Sequence, residues 1–134
     1  METYHWEIIC LRMRKLIERP IMKPHPLAEQ SLEFSVNIVH FCDGIECYAV
    51  LKNQLLRAAT SIGANIHDGV YASSGGDFVA KYQISLKECH ETEYWLKIME
   101  RAGLAHPEQI GQLLQQCGKI RRMLIASITT VKTG

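Results

Sequence analysis

Two rows of polar side chains carry most of the chemistry this sequence offers. Gln54, Arg57, Ser61, Asn65 and Asp68 follow one another at steps of 3, 4, 4 and 3, which puts them on one face of a helix. Asp77, Lys81, Ser85, Glu88, Glu91 and Trp95 form a second row after Gly75-Gly76. A chain folded back near Gly75 places residues equally far on either side of it opposite one another. Asp68 then meets Lys81 or Tyr82, Asn65 meets Ser85, and Arg57 meets Glu91 or Glu93. Opposite charges and hydrogen-bonding partners face each other, so the expected chemistry is a network that sets register between helices or subunits. The small residues Ala58, Ala59, Ser61, Gly63 and Ala64 let a further helix approach closely, which also points to a helix interface.

A third group is cationic. Lys119, Arg121, Arg122 and Lys132 share the last segment with a single acid, Glu108. Binding of nucleic acid needs a concentrated cationic surface, and these four are the candidate contacts with RNA or DNA. The alternative is a solvated helix face whose cations suit the C-terminal end of the helix dipole. Residues 27–134 hold ten basic and eleven acidic residues, so the segment is net −1 and any cationic surface on it is local to this cluster.

Metal and nucleophile chemistry is harder to assemble. Cys42 and Cys47 are five apart, with His40 two before Cys42, whereas structural zinc ligands pair at closer spacings. Cys89, His90 and Glu93 offer two ligands on one helical turn, and the two Glu-x-x-His motifs that a di-iron bundle needs do not occur together. Thr60, Ser61, Ser73 and Ser74 have no base-and-orienter pattern beside them, and Gly75-Gly76 lacks the Lys-Ser/Thr tail of a phosphate loop. Tyr94 and Trp95 have the type to stack on bases, but their helical spacing reads as packing or interface. No catalytic residue, cofactor or metal ligand is expected, and the chain reads as non-enzymatic.

The elements that position these residues are helices. Four segments show apolar residues alternating at 3 and 4: Leu27 to Ile45, Leu51 to Gly69, Phe78 to Met99 and Ile110 to Val131. That spacing averages 3.5, the seam of closely packed helices. Asp43-Gly44 marks the first turn, Ser74 and Asp77 are spaced as a capping box, and Gly103 with Pro107 closes one helix and opens the next. Connections this short make neighbours antiparallel, so the expected fold is all-α: an up-down-up-down four-helix bundle over residues 27–134. Residues 1–26 form an N-terminal extension and linker with three prolines at 20, 24 and 26. Within it Trp6, Ile9, Met13, Leu16 and Ile17 lie on one side of a short amphipathic helix. Met22 is itself a candidate start, so residues 1–21 are either a genuine extension or upstream sequence.

Composition agrees. The 134 residues are 47% apolar and 22% charged with net charge +1, enough for one domain with a real core. No stretch approaches the roughly 18 apolar residues of a membrane span, and the odd count of five cysteines without a CxxC pair suits reduced thiols in the cytoplasm.

The segment Gln54-Leu55-Leu56-Arg57-Ala58-Ala59-Thr60-Ser61-Ile62-Gly63-Ala64-Asn65-Ile66 resembles a signature of the four-helix-bundle proteins encoded in intervening sequences of bacterial 23S ribosomal RNA genes. Asp77-Phe78-Val79-Ala80-Lys81 and Leu86 to Leu96 resemble two further segments of that family, and the similarity spans about residues 27–132. Ala58, Asp68 and Cys89 depart from the pattern by small changes, and residues 1–26 have no counterpart. The resemblance implies a homo-oligomer, a five-fold ring of helix bundles, and does not imply an enzyme. A related branch, the accessory variability proteins of diversity-generating retroelements, implies an alternative as a nucleic-acid-binding partner of a reverse transcriptase or RNA.

Overall fold

The computed structural model describes residues 7–11 and 25–134. Residues 7–11 form a helical turn with exposed side chains. Four long helices follow: α1 (Pro26–Asp43), α2 (Ala49–Val70), α3 (Gly75–Arg101) and α4 (Pro107–Thr133). Among the described residues there is no strand. Each helix packs on the next, and α4 closes the cycle against α1. Along the α2–α3 interface residue numbers run in opposite senses: Gly69 lies against Tyr82, Ile62 against Ser85, and Arg57 against Glu88 and Glu91.

The helix starts have local causes. Both α1 and α4 open with His-Pro. The Nδ1 of His25 accepts the Ala28 N–H at 3.2 Å, and that of His106 accepts the Glu108 N–H at 3.3 Å. Proline then takes the first helical position, where its preset φ helps and its missing N–H costs nothing. Pro26 is therefore part of α1, one residue earlier than the linker boundary expected from sequence. Pro20, Pro24, Trp6, Met13, Leu16 and Ile17 lie outside the described residues. Ser74 caps α3 by accepting the Asp77 N–H at 3.1 Å, while Asp77 reaches back to the Ser73 N–H at 3.4 Å. At its other end Gly103 adopts φ +68°, letting Leu104 N–H reach the Met99 carbonyl at 2.9 Å. Ile45, expected at the end of the first helix, falls in the connection after it.

The alternating apolar residues form one core. Phe34, Ile38, Leu55, Ile62, Ile66, Leu96, Met99, Ile120 and Leu124 are all buried, as are Cys89 and Cys117. The buried hydroxyls of Ser31, Ser85 and Thr92 donate to the carbonyls of Ala28, Ile62 and Glu88. Among the described residues no buried side-chain nitrogen or oxygen lacks a partner, so these side chains meet their desolvation cost with hydrogen bonds.

Candidate interaction surfaces

Among the described residues, Arg57 joins several polar side chains of α2 and α3 into one surface group. Its Nη1 lies 3.5 Å from Glu88 Oε2, its Nη2 pairs with Glu91 Oε1, and its Nε donates to Gln54 Oε1 at 3.1 Å. Trp95 Nε1 donates to the same Glu91 oxygen at 3.4 Å. Tyr94 stands beside it, edge-on to Trp95 with ring centres 5.3 Å apart, and is 59% exposed. α2 thus supplies the cation and α3 the two acids and the aromatic pair.

The Arg57 side chain keeps 47% of its exposure, whereas Glu88 keeps 14%. Burial, and then the neighbouring Glu91 carboxylate, hold the Glu88 carboxyl above its ordinary range, with Arg57 pulling it back down. The folded chain therefore binds that proton more tightly than the unfolded chain does. Its contribution to stability is whole below the unfolded value and declines as pH rises through the raised folded one. Glu88→Gln keeps an acceptor for Arg57 and removes the titration. It should flatten that acidic stretch of the stability–pH curve, measured by urea unfolding; a curve superimposable on wild type contradicts the assignment.

The remaining stripe residues divide. Lys81 Nζ and Asp68 Oδ2 meet at 4.0 Å with well-exposed side chains, so their pair contributes little. Asn65 and Ser85, expected from their spacing to face each other, do not. Ser85 Oγ donates to the Ile62 carbonyl at 2.7 Å, and Asn65 Nδ2 to the Ser61 carbonyl of its own helix at 2.8 Å. The fold-back is centred slightly ahead of Gly75, because residues 71–74 make the turn and Gly75 is already helical. The close approach expected over the small residues is taken up inside the molecule: Gly63 is buried beneath Ser31 and Ser35 of α1.

Glu93 does not reach Arg57. It lies toward α4, where Arg121 Nε donates to its Oε1 at 2.9 Å, and that bond with its charge holds the guanidinium more firmly protonated. Arg121 of α4 thus meets an acid of α3 that the count within its own segment does not include. Gly118 is buried beneath the two arginines: a Cβ there would lie 3.3 Å from Arg122 Nη1 and 3.6 Å from Arg121 Nη2. With Leu114, Gln115 and Lys119 they line an open depression of about 530 Å³. Lys132 stands about 15 Å further along the helix and is not part of it.

A groove not expected from the sequence runs between α1 and α4. Asn37 Nδ2 donates to Gln116 Oε1 at 3.3 Å, and Gln109, Gln112, His40 and Phe41 help line a depression of about 330 Å³. The 3–4 spacing of the three glutamines is its one visible signal along the chain. Burial, then Cys47, push the Cys42 thiol up to about 11, with Lys52 opposing. The Cys117 thiol is raised by its hydrogen bond to Cys89 and by burial. Both are thus kept as thiols, the form that is a poor nucleophile. Among the described residues no three His, Cys, Asp or Glu side chains gather as a metal site, and no helix is long and apolar enough to cross a membrane.

No curated protein matches this chain. A crystal structure of a protein of unknown function from the S23 ribosomal protein family of Bacteroides thetaiotaomicron is similar at 37% identity and TM-score 0.72, covering 76% of this chain and 97% of that one. The pattern of the family described as 23S rRNA-intervening sequence protein matches residues 26–126, from the first residue of α1 to well into α4. The chain belongs to the 23S rRNA-intervening sequence protein family.

Proposed function

We propose that this protein is a non-enzymatic assembly module of the cytoplasm. In this reading an up-down-up-down antiparallel four-helix bundle associates with copies of itself, as a pentamer by family resemblance, and the ring engages a macromolecular partner. One observation carries it: Tyr94, Trp95 and Arg57 stand together on the α2–α3 surface with the guanidinium already held by Glu88, Glu91 and Gln54. Tyr, Trp and Arg dominate binding energy at protein interfaces, and a side chain ordered before association loses less entropy on binding. Free thiols at all five cysteines suit a reducing compartment.

A second reading takes RNA or DNA as the partner, and the convergence of Arg121 and Arg122 over Gly118 beside Lys119 favours it. Light-scattering mass tests both. The mass should be about five times the 15.2 kDa chain, and Tyr94→Ala with Trp95→Ala should lower it while helicity stays; a single-chain mass for the wild type overturns the assembly reading. Adding a mixed RNA pool at about 50 and 200 mM salt tests the second, because phosphate-driven binding falls steeply over that range. A mass indifferent to RNA at both salts, or an RNA shift that survives charge reversal of Arg121 and Arg122, rejects that site.

A further inference from the structure

α1 carries a second apolar stripe on its outer side. Leu32, Val36 and Val39 recur at steps of four and three and are 52%, 46% and 48% exposed, beside the half-buried Leu56 of α2. At the end of the stripe Val39, Cys42, Asp43, Lys52, Asn53 and Leu56 line a hollow of about 300 Å³. α1 itself bears Glu29, Glu33 and Asp43 and no lysine or arginine.

The helical turn at residues 7–11 is the matching piece. Ile8, Ile9 and Leu11 are 43%, 37% and 57% exposed, and Arg12, Arg14 and Lys15 follow directly in sequence. The chain between Leu11 and His25 spans up to about 45 Å when extended, against a length of about 27 Å for all of α1. The turn can therefore reach any point of the stripe on its own chain, at the high effective concentration a short tether provides.

We propose that this N-terminal turn docks on the α1–α2 face of the same chain, its apolar residues covering Leu32, Val36 and Val39. Docking removes two exposed apolar surfaces from water at once, and the segment and α1 are opposite in charge. The covered face is then closed to other partners until the segment is released. The α2–α3 surface stays free, so the inference stands apart from the assembly reading.

Limited trypsin digestion of the full chain tests it, with cleavage after Arg12, Arg14 and Lys15 followed by mass spectrometry and helicity followed alongside. Docking makes these sites slow, and Ile8→Gln with Leu11→Gln should speed their cleavage about ten-fold with the bundle sequence untouched. Leu32→Gln with Val36→Gln should do the same from the other side, and the wild-type rate should not depend on protein concentration. Equal rates in wild type and the Ile8/Leu11 variant overturn the proposal. So does a wild-type rate that slows with rising concentration, which would assign the contact to another chain.

Discussion

Replacing Gly69 by alanine should destabilise this protein by about 1–3 kcal/mol, the usual cost of forcing a group into a filled core. Helix propensity alone gives the opposite sign, since alanine gains up to about 1 kcal/mol over glycine inside a helix. The reversal comes from Tyr82. A Cβ on Gly69 would sit 2.6 and 2.8 Å from two of its ring carbons, well inside van der Waals contact. The ring has little room to yield: it is 1% exposed and packed against Phe78, tilted by 38° with ring centres 4.0 Å apart. Thermal unfolding should therefore show a melting point lower by several degrees. In a Tyr82→Leu background, where the obstructing ring is gone, the added penalty of Gly69→Ala should largely vanish. A wild-type or higher melting point for Gly69→Ala would show that α2 and α3 are not in the close contact described.

Arg57→Ala should cost a similar amount, about 1–3 kcal/mol, by a different route. The guanidinium is nearly half exposed, so its own attraction to the acids is screened and worth little. What remains after its removal is costlier: Glu88, 14% exposed, is left beside Glu91 with no cation between them. The loss should thus be largest near neutral pH and shrink as the two carboxyls protonate. It should also be smaller in a Glu88→Gln background, a coupling that a double-mutant cycle on melting reads directly. An unchanged melting temperature together with an unchanged light-scattering mass would remove Arg57 from any structural or interface role.

Features that lie within one helix or across one short turn are legible in the amino-acid sequence alone. The 3–4 spacing from Leu27 to Val131 marks most of the buried residues, because a helix converts spacing into a face. Ser74, Asp77 and Gly103 announce helix ends because caps depend on a few consecutive residues. The pairings of Arg57 with Glu91 and Asp68 with Lys81 follow too, since one tight connection between α2 and α3 leaves little freedom in how they align. The histidine caps of α1 and α4 are equally local but carry a weaker signal, because histidine is not among the residues that commonly cap a helix start.

Other features answer to distances and rotations that no local pattern contains. Glu93 is two residues from Glu91 and on the same segment, yet the rotation of α3 against its neighbours sends one acid to Arg57 and the other to Arg121. Asn65 turns back to its own helix while Ser85 takes the Ile62 carbonyl, a choice made by fractions of a turn in how α2 and α3 are phased. The tightness at Gly69 and the convergence of two arginines over Gly118 depend on how near the helices come and which rotamers that spacing admits. Period and capping are properties of a single helix and are written along the chain. Phase and separation belong to pairs of helices, and only packing all four around one core assigns them.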